Sequence, residues 1–455
     1  MNRVASRAGI TVLIALLLIA GMGFFVAEYT TNAGDWVTFP GSPHVYTGGN
    51  IGCGTVVDRD GIPLLFLDDG RTYSTDTALR AATVHWLGDR HGSISAPALT
   101  SHAAELTGYD LVNGVYAYGD ASGTATLTLS AEVQLAAQAA MGSYKGTVAV
   151  YNYQTGELLC AVTTPNYDPD NVPDAEKDPG GAYEGMYVNR FTQSAYIPGS
   201  IYKIVTLAAA LEELPNVRQM TYYCSGELEL DGGRITCEHA HGNQDLKSAF
   251  CNSCNCAFAY LALEIGPQKM EAYAAQFGVT QQLTFDGIET AEGNYLAIDQ
   301  TEADIGWSGA GQHNDQVNPC TFLTFVGAVA NGGKGAEPYL VKQVKVGMET
   351  TYRARTQMGK TVVSAETAET MAEYMRNNVQ SKYGDGNFPG LSVCAKTGTA
   401  EVGGDKKPNA MLAGFVADDA YPLAFIVCVE DGGYGAQICL PIASKVLTAC
   451  VENMG

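Results

Sequence analysis

Between Arg7 and Glu28 the chain runs twenty residues, AGITVLIALLLIAGMGFFVA, without a charge. Inside lipid every backbone N–H and C=O must be satisfied within its own segment, so a run of this kind can only be a helix there. About twenty residues match a hydrocarbon core about 30 Å thick. Arg3 and Arg7 precede the run, and Glu28 and Asp35 follow it. The positive-inside rule then predicts a short cytoplasmic tail and places the 428 residues after position 27 outside the membrane. A cleaved signal peptide would have a shorter apolar core, about 7–15 residues, and a small-residue cleavage site, so the run reads as an uncleaved anchor. No second run is long enough to span. The net charge of −22 excludes nucleic acid as a partner and a polybasic mode of membrane binding. A length of 455 residues, 46% hydrophobic and 16% charged, predicts two or three packed domains.

The pattern changes twice along the chain. After the anchor, residues 28–45 are polar and read as a stalk. Residues 46–125 are short strand-like pieces broken by turns, with Asp-Gly at 60–61 and again at 69–70, and one helix near 76–88. From 126 onward, LTLSAEVQLAAQAAM predicts a strand end and a helix. GTVAVYNYQTGELLCAVTTP predicts a hairpin around Thr155-Gly156. A helix is expected from Ser200, and others near 246–265, 268–277, 319–331 and 364–379. The end returns to strands, LSVCAKTGTAEV, AMLAGFVAD and LAFIVCVED, and closes with a helix at 440–452. Strands at both ends of a segment with helices between them predict an α+β domain built on one mixed sheet. The boundaries are a tail and anchor at 1–27, a β-rich N-terminal pedestal at 28–125, and a second domain at 126–455.

Twelve cysteines in a chain placed outside the membrane raise the question of disulfides and metals. Cys224 and Cys237 flank a hairpin-like stretch and are expected to be able to pair. Cys251, Cys254 and Cys256 lie close together downstream of His239 and His241, but the spacing is poor for zinc. Packing or a disulfide is expected there, with no metal and no cofactor. His85, His102, His239, His241 and His313 read as surface or satisfied polar residues, and His241-Gly242 as part of a wall beside Ser253.

Chemistry concentrates in three short motifs. Ser200 follows Pro198-Gly199 at the start of an apolar helix, with Lys203 three residues on. A serine hydroxyl needs a base to become a nucleophile, and a lysine serves only if burial or a nearby cation lowers its pKa. Ser253 and Asn255 form Ser-x-Asn, able to relay a proton and to hold a substrate amide. Lys396, Thr397, Gly398 and Thr399 follow on a strand, suited to docking an extended peptide and its carboxylate. Glycine at 398 is expected to let a ligand backbone approach. The spacings are 53 residues from Ser200 to Ser253 and 143 from Ser253 to Lys396.

Ser-x-x-Lys, Ser-x-Asn and Lys-Thr-Gly in this order resemble the penicillin-recognising serine enzymes. The chain as a whole is similar to the class B penicillin-binding proteins, monofunctional peptidoglycan D,D-transpeptidases with a serine β-lactamase-like domain. NRFTQSAYIPGSIYK resembles that family's approach to its nucleophile, and GAVANGG the stretch before its third motif. GTVVDRDGIPL and RAATVHWLG resemble its N-terminal signatures, with Cys53 and Asp60 as departures. NDQVNPCTFL departs from the usual Thr-Pro-x-Gln, which predicts a looser wall of the cleft.

The resemblance implies a catalytic set of Ser200, Lys203, Ser253, Asn255 and Lys396, with substrate held by Thr397, Gly398 and Thr399. The implied partners are peptidoglycan stem peptides, β-lactams as covalent inhibitors, and a SEDS-type membrane glycosyltransferase. A D,D-carboxypeptidase is the alternative enzyme; a β-lactam sensor or an inactive scaffold is the alternative of another class. Glu289, Glu292 and Glu302 stand in no pattern tied to a deacylating water, so a long-lived penicillin adduct is expected.

Overall fold

The computed structural model describes residues 2–43, 45–67, 70–112, 114–115 and 122–454; Asp69 of the second predicted Asp-Gly turn lies outside them. Asn2–Val37 is one helix (α1) of 36 residues, about 54 Å long at about 1.5 Å per residue. It is long and apolar enough to cross a membrane. The polar stretch after Ala27, expected as a stalk, stays helical to Val37. Its side chains satisfy the helix locally instead of breaking it. Asn32 Nδ2 donates to Glu28 Oε2 at 2.7 Å, and the Thr30 and Thr31 hydroxyls donate to carbonyls one turn back at 2.9 and 2.8 Å. Near its end Ala33 is buried, and a Cβ on Gly34 would lie 3.0 Å from that of Ala104.

Thr55–Val57 (β1), Pro63–Phe66 (β2), Thr72–Tyr73 (β3) and Gly123–Leu127 (β4) form most of a six-stranded sheet. The helix Thr77–Leu87 (α2) falls where the sequence places one, capped by Asp76. The remaining two strands, Val341–Val346 and Glu349–Arg353, come from far downstream and extend the sheet from β4. The β1–β4 pair is parallel and the other pairs are antiparallel. This sheet therefore draws strands from both sides of position 125.

The two N-terminal signatures fasten this sheet to the rest. Asp58 accepts from the N–H groups of Asp60 and Ile62 at 2.9 and 2.7 Å, and from that of Ala131 at 2.9 Å. Asp60 serves that turn through its backbone N–H. Arg59 pairs with Glu157 at 3.2 Å, and Arg80 grips both carboxylate oxygens of Asp168 at 2.7 Å. Trp86 Nε1 donates to the Ala161 carbonyl at 2.7 Å.

The second sheet has five strands. Ala131–Met141 (α3) leads into the hairpin Lys145–Asn152 (β5) and Leu158–Thr164 (β6). Between this hairpin and the last three strands lie Lys203–Glu213 (α4), Leu246–Cys251 (α5), Asn255–Ile265 (α6), Glu302–Ala310 (α7) and Pro319–Ala330 (α8), with other helices. Val393–Ala400 (β7), Asn409–Val416 (β8) and Leu423–Glu430 (β9) complete the sheet, and Gly435–Glu452 (α9) packs across it. The order is β7-β8-β9-β5-β6, and each neighbouring pair is antiparallel. Strands from both ends of the segment thus share one sheet, as expected.

Both faces of this sheet are covered, so its strands are apolar without alternation. On β8, Met411, Ala413 and Phe415 pack with the helices around α4 and α6. Ala410, Leu412 and Val416 pack with Leu440 and Val446 of α9. The helix α7 was not expected from the sequence. Its signal is Thr301, whose hydroxyl accepts from the Asp304 N–H at 3.2 Å and donates to the Asp304 carboxylate at 2.7 Å.

Candidate active site

Ser200 and Lys203 sit where the chain enters α4. Gly199 takes φ +56°, and a Cβ there would lie 2.6 Å from the Thr399 carbonyl oxygen. The turn that follows, Gly199–Tyr202, is 3-10 and not yet α-helical, and α4 begins at Lys203. In a 3-10 turn residues three apart eclipse, which stacks Lys203 against Ser200. Lys203 Nζ lies 2.7 Å from Ser200 Oγ, 2.7 Å from Asn255 Oδ1 and 3.4 Å from Ser253 Oγ. The lysine is fully buried. Burial pulls its pKa down to about 8, against the opposing effect of the Cys237, Cys254 and Cys256 thiols nearby.

Ser253 occupies the turn between α5 and α6 with φ +53°, a left-handed conformation uncommon for a residue with a side chain. Its Oγ accepts from Lys396 Nζ at 3.0 Å, so one hydroxyl stands between two buried lysines. Lys396 also donates to the Thr397 carbonyl at 3.0 Å. Burial, and then the charge of Lys203, push the Lys396 pKa well below the ordinary lysine range. Asn255 opens α6; its Nδ2 donates to the Thr236 carbonyl at 2.7 Å while its Oδ1 faces Lys203. The structure thus brings Ser200, Lys203, Ser253, Asn255 and Lys396 into one connected hydrogen-bond network.

The third motif lies on β7, an edge strand of its sheet. Gly398 is needed by the chain's own packing. A Cβ there would lie 2.8 Å from the Pro198 carbonyl oxygen and 3.1 Å from Ile201 N, so the strand can approach the nucleophile turn only through glycine. The bare backbone expected to admit a ligand is thus also a packing requirement. Thr399 Oγ1 accepts from the Gly435 N–H at 3.3 Å, and the Thr399 carbonyl accepts from Gln312 Nε2 at 3.1 Å. Thr397 is held by a residue the sequence reading missed. Tyr383 OH accepts from the Thr397 N–H at 3.0 Å and lies 3.0 Å from its Oγ1. Tyr383 ends a five-residue π-helical turn, Val379–Tyr383, a distortion found often at functional sites.

Two other expectations change. The stretch around Asn318 is not a loose wall. Asn318 is fully buried, donates to the Thr192 and Ser194 carbonyls at 2.9 and 2.8 Å, and caps α8 by accepting from Cys320 and Thr321. Cys224 and Cys237 form no disulfide with each other; both are free thiols, gathered with Cys254 and His241.

The model of the penicillin binding protein transpeptidase domain matches residues 146–448, two thirds of the chain. The chain belongs to the penicillin-binding protein transpeptidase family. Within it the chain is a class B penicillin-binding protein, with an N-terminal apolar helix and a β-rich part ahead of the transpeptidase domain. Its relatives include the peptidoglycan D,D-transpeptidase PbpA of Mycolicibacterium smegmatis. That protein is 29% identical over 361 residues, covering 73% of this chain and 73% of that one. Stage V sporulation protein D of Bacillus subtilis is 28% identical over 326 residues, 68% of this chain and 50% of that one. Among solved structures, penicillin-binding protein A of M. tuberculosis, a ceftriaxone acyl-enzyme complex, superposes with a TM-score of 0.76. It has 24% identity and covers 87% of this chain and 98% of that one. The D,D-transpeptidase domain of a peptidoglycan glycosyltransferase from Eggerthella lenta gives a TM-score of 0.72 at 24% identity, covering 89% and 99%. At these identities the structural likeness establishes the penicillin-binding transpeptidase fold.

Proposed function

We propose that this penicillin-binding protein crosslinks peptidoglycan by moving an acyl group from a D-Ala-D-Ala stem peptide to a neighbouring amine, through an ester on Ser200. The observation that carries the reading is the buried Lys203 Nζ 2.7 Å from Ser200 Oγ, linked through Ser253 Oγ to Lys396. Lys203 takes the Ser200 proton as Oγ attacks the penultimate carbonyl. The backbone N–H groups of Ser200 and Thr399 take up the developing oxyanion, a contribution typically about 10²–10³ in rate. Ser253, poised between the two lysines, passes a proton to the departing D-Ala nitrogen. Asn255 holds the donor's amide, and Lys396, Thr397 and Thr399 receive the terminal carboxylate along the β7 edge. An acceptor amine then displaces the serine and forms the crosslink. A β-lactam enters by the same attack and stays as an ester.

In this reading α1 is a single-pass anchor with its N-terminus in the cytoplasm and the catalytic domain outside. The chain divides into anchor 1–27, pedestal 28–125 and transpeptidase 126–455, with α1 continuing past the first boundary and the strands at 341–353 returning to the pedestal sheet across the second, and a SEDS-type glycosyltransferase supplies the glycan strands. The test uses purified full-length protein with a D-Ala-D-Ala stem peptide, with and without an acceptor amine, read by mass spectrometry. Crosslinked product with release of D-Ala is expected. Release of D-Ala with water as the only acceptor would make the enzyme a D,D-carboxypeptidase.

A further inference from the structure

Between α4 and α5 the chain makes an excursion over residues 221–245. Thr221–Cys224 pairs with Gly242–Asp245, and Glu227–Leu230 with Gly233–Thr236. Each pairing has two strands of four residues, with much of its surface exposed. Two-stranded units of this size are marginally stable on their own in water.

Four side chains converge at the base of the excursion. Cys224 ends one strand, Cys237 follows another, His241 precedes a third, and Cys254 is the N-cap of α6. Their ligand atoms all lie within 4.8 Å of one another. His241 Nδ1 is 3.4 Å from Cys224 Sγ, and Cys237 Sγ is 3.8 Å from Cys254 Sγ. Tetrahedral zinc, with Zn–S about 2.3 Å and Zn–N about 2.0 Å, sets its ligand atoms about 3.5–3.8 Å apart. Two edges of the cluster, at 3.4 and 3.8 Å, therefore match those of a zinc tetrahedron already, and no other edge exceeds 4.8 Å. We propose that Cys224, Cys237, His241 and Cys254 bind one zinc ion, which clamps the excursion to the start of α6 and positions Ser253 and Asn255.

The donor set selects the metal. Three thiolates and an imidazole suit zinc and reject magnesium or calcium, which take oxygen ligands. Four protein ligands leave no open position, so the site is structural. Neither thiol contact is a disulfide, which would need sulfurs about 2.0 Å apart. Cys256 Sγ stands 3.5 Å from Cys237 Sγ and is the thiol that would compete for it. The local spacing of Cys251, Cys254 and Cys256 argued against a metal because three of the four ligands come from elsewhere. The positioning role follows from connectivity. Cys254 lies between Ser253 and Asn255 in the chain, and Asn255 Nδ2 donates to the carbonyl of Thr236, the residue before Cys237. The ion would hold the backbone on both sides of the contact that orients Asn255.

This role rests on the proposed function; the metal content does not, so the two fail separately. Full-length protein in detergent, purified without added metal or chelator, should carry about one zinc per chain by elemental analysis. Cys224→Ala and His241→Ala should each lower that at least fivefold, while Cys256→Ser keeps it. Cys224→His, which retains a ligand, should keep zinc as well and guards against mere misfolding. Stripping the metal with a chelator should slow fluorescent-penicillin labelling at least fivefold, and zinc, but not magnesium, should restore it. Folded wild-type protein without zinc, or with a Cys237–Cys256 disulfide in its place, would overturn the site. Unchanged labelling after complete removal would overturn the positioning role.

Discussion

The role proposed for Lys203 sets a pH dependence. The lysine must be neutral to accept the Ser200 proton, and burial brings its pKa down to about 8. Acylation by a β-lactam should therefore rise with pH up to about 8 and, well below that, fall by about tenfold per unit as the amine protonates. Lys203→Arg keeps a cation but cannot give up its proton near neutrality. It should acylate at least about 10²-fold more slowly, the usual worth of a positioned base. Stopped-flow labelling across pH checks both; a flat profile, or retained labelling in the arginine variant, would remove Lys203 from the base role. This pair was legible in the sequence because Ser200 and Lys203 are three residues apart and their contact is local. Tyr383 was not legible, because its hold on Thr397 depends on a π-helical turn that no side-chain pattern announces.

At the scale of elements, the site depends on how closely β7 lies against the 3-10 turn at Gly199–Tyr202. Gly398 and Gly199 are what permit it, each facing backbone of the other element at distances no Cβ tolerates. Gly398→Ala should push β7 away from Ser200. A displacement of about 1 Å in such a site costs about 10² in rate, while overpacking costs about 1–3 kcal/mol of stability. Labelling rate and thermal unfolding measured together should show the rate loss in protein that is still folded; wild-type labelling would mean the approach is not needed. The strands of the five-stranded sheet were readable as apolar runs, since both of its faces are buried. α7 was missed because its residues, EADIGWSGA, carry two glycines and little amphipathic pattern. Its glycines are explained by packing: a Cβ on Gly309 would lie 2.4 Å from the Cβ of Ala262 on α6.

Across the whole molecule, the N-terminal part and the transpeptidase domain are joined by specific polar contacts as well as by packing. The Arg80–Asp168 pair is bidentate and largely shielded, and it holds the Asp168 carboxyl below its usual pKa. Arg80→Ala leaves Asp168 without that partner, and should destabilise the protein by about 1–3 kcal/mol with β-lactam labelling at 25 °C unchanged. Differential scanning calorimetry beside labelling tests this; a lost labelling rate at unchanged stability would contradict it. The two strands at 341–353 that complete the N-terminal sheet could not be foreseen. Their pairing with β4 joins residues more than two hundred positions apart, and no local pattern encodes such a partner. The zinc-like cluster escaped for the same reason. The proposed function turns on an ester at Ser200. Among the described residues no carboxylate is hydrogen-bonded to Ser200, Lys203, Ser253 or Lys396 to drive a deacylating water. Intact-protein mass spectrometry with benzylpenicillin, followed by peptide mapping over time, measures that ester directly. A single penicilloyl group on Ser200 that persists for at least tens of minutes, and is absent from Ser200→Ala, is the predicted result. An adduct on another residue, or one that vanishes within seconds while many penicillins are hydrolysed per chain, would contradict it.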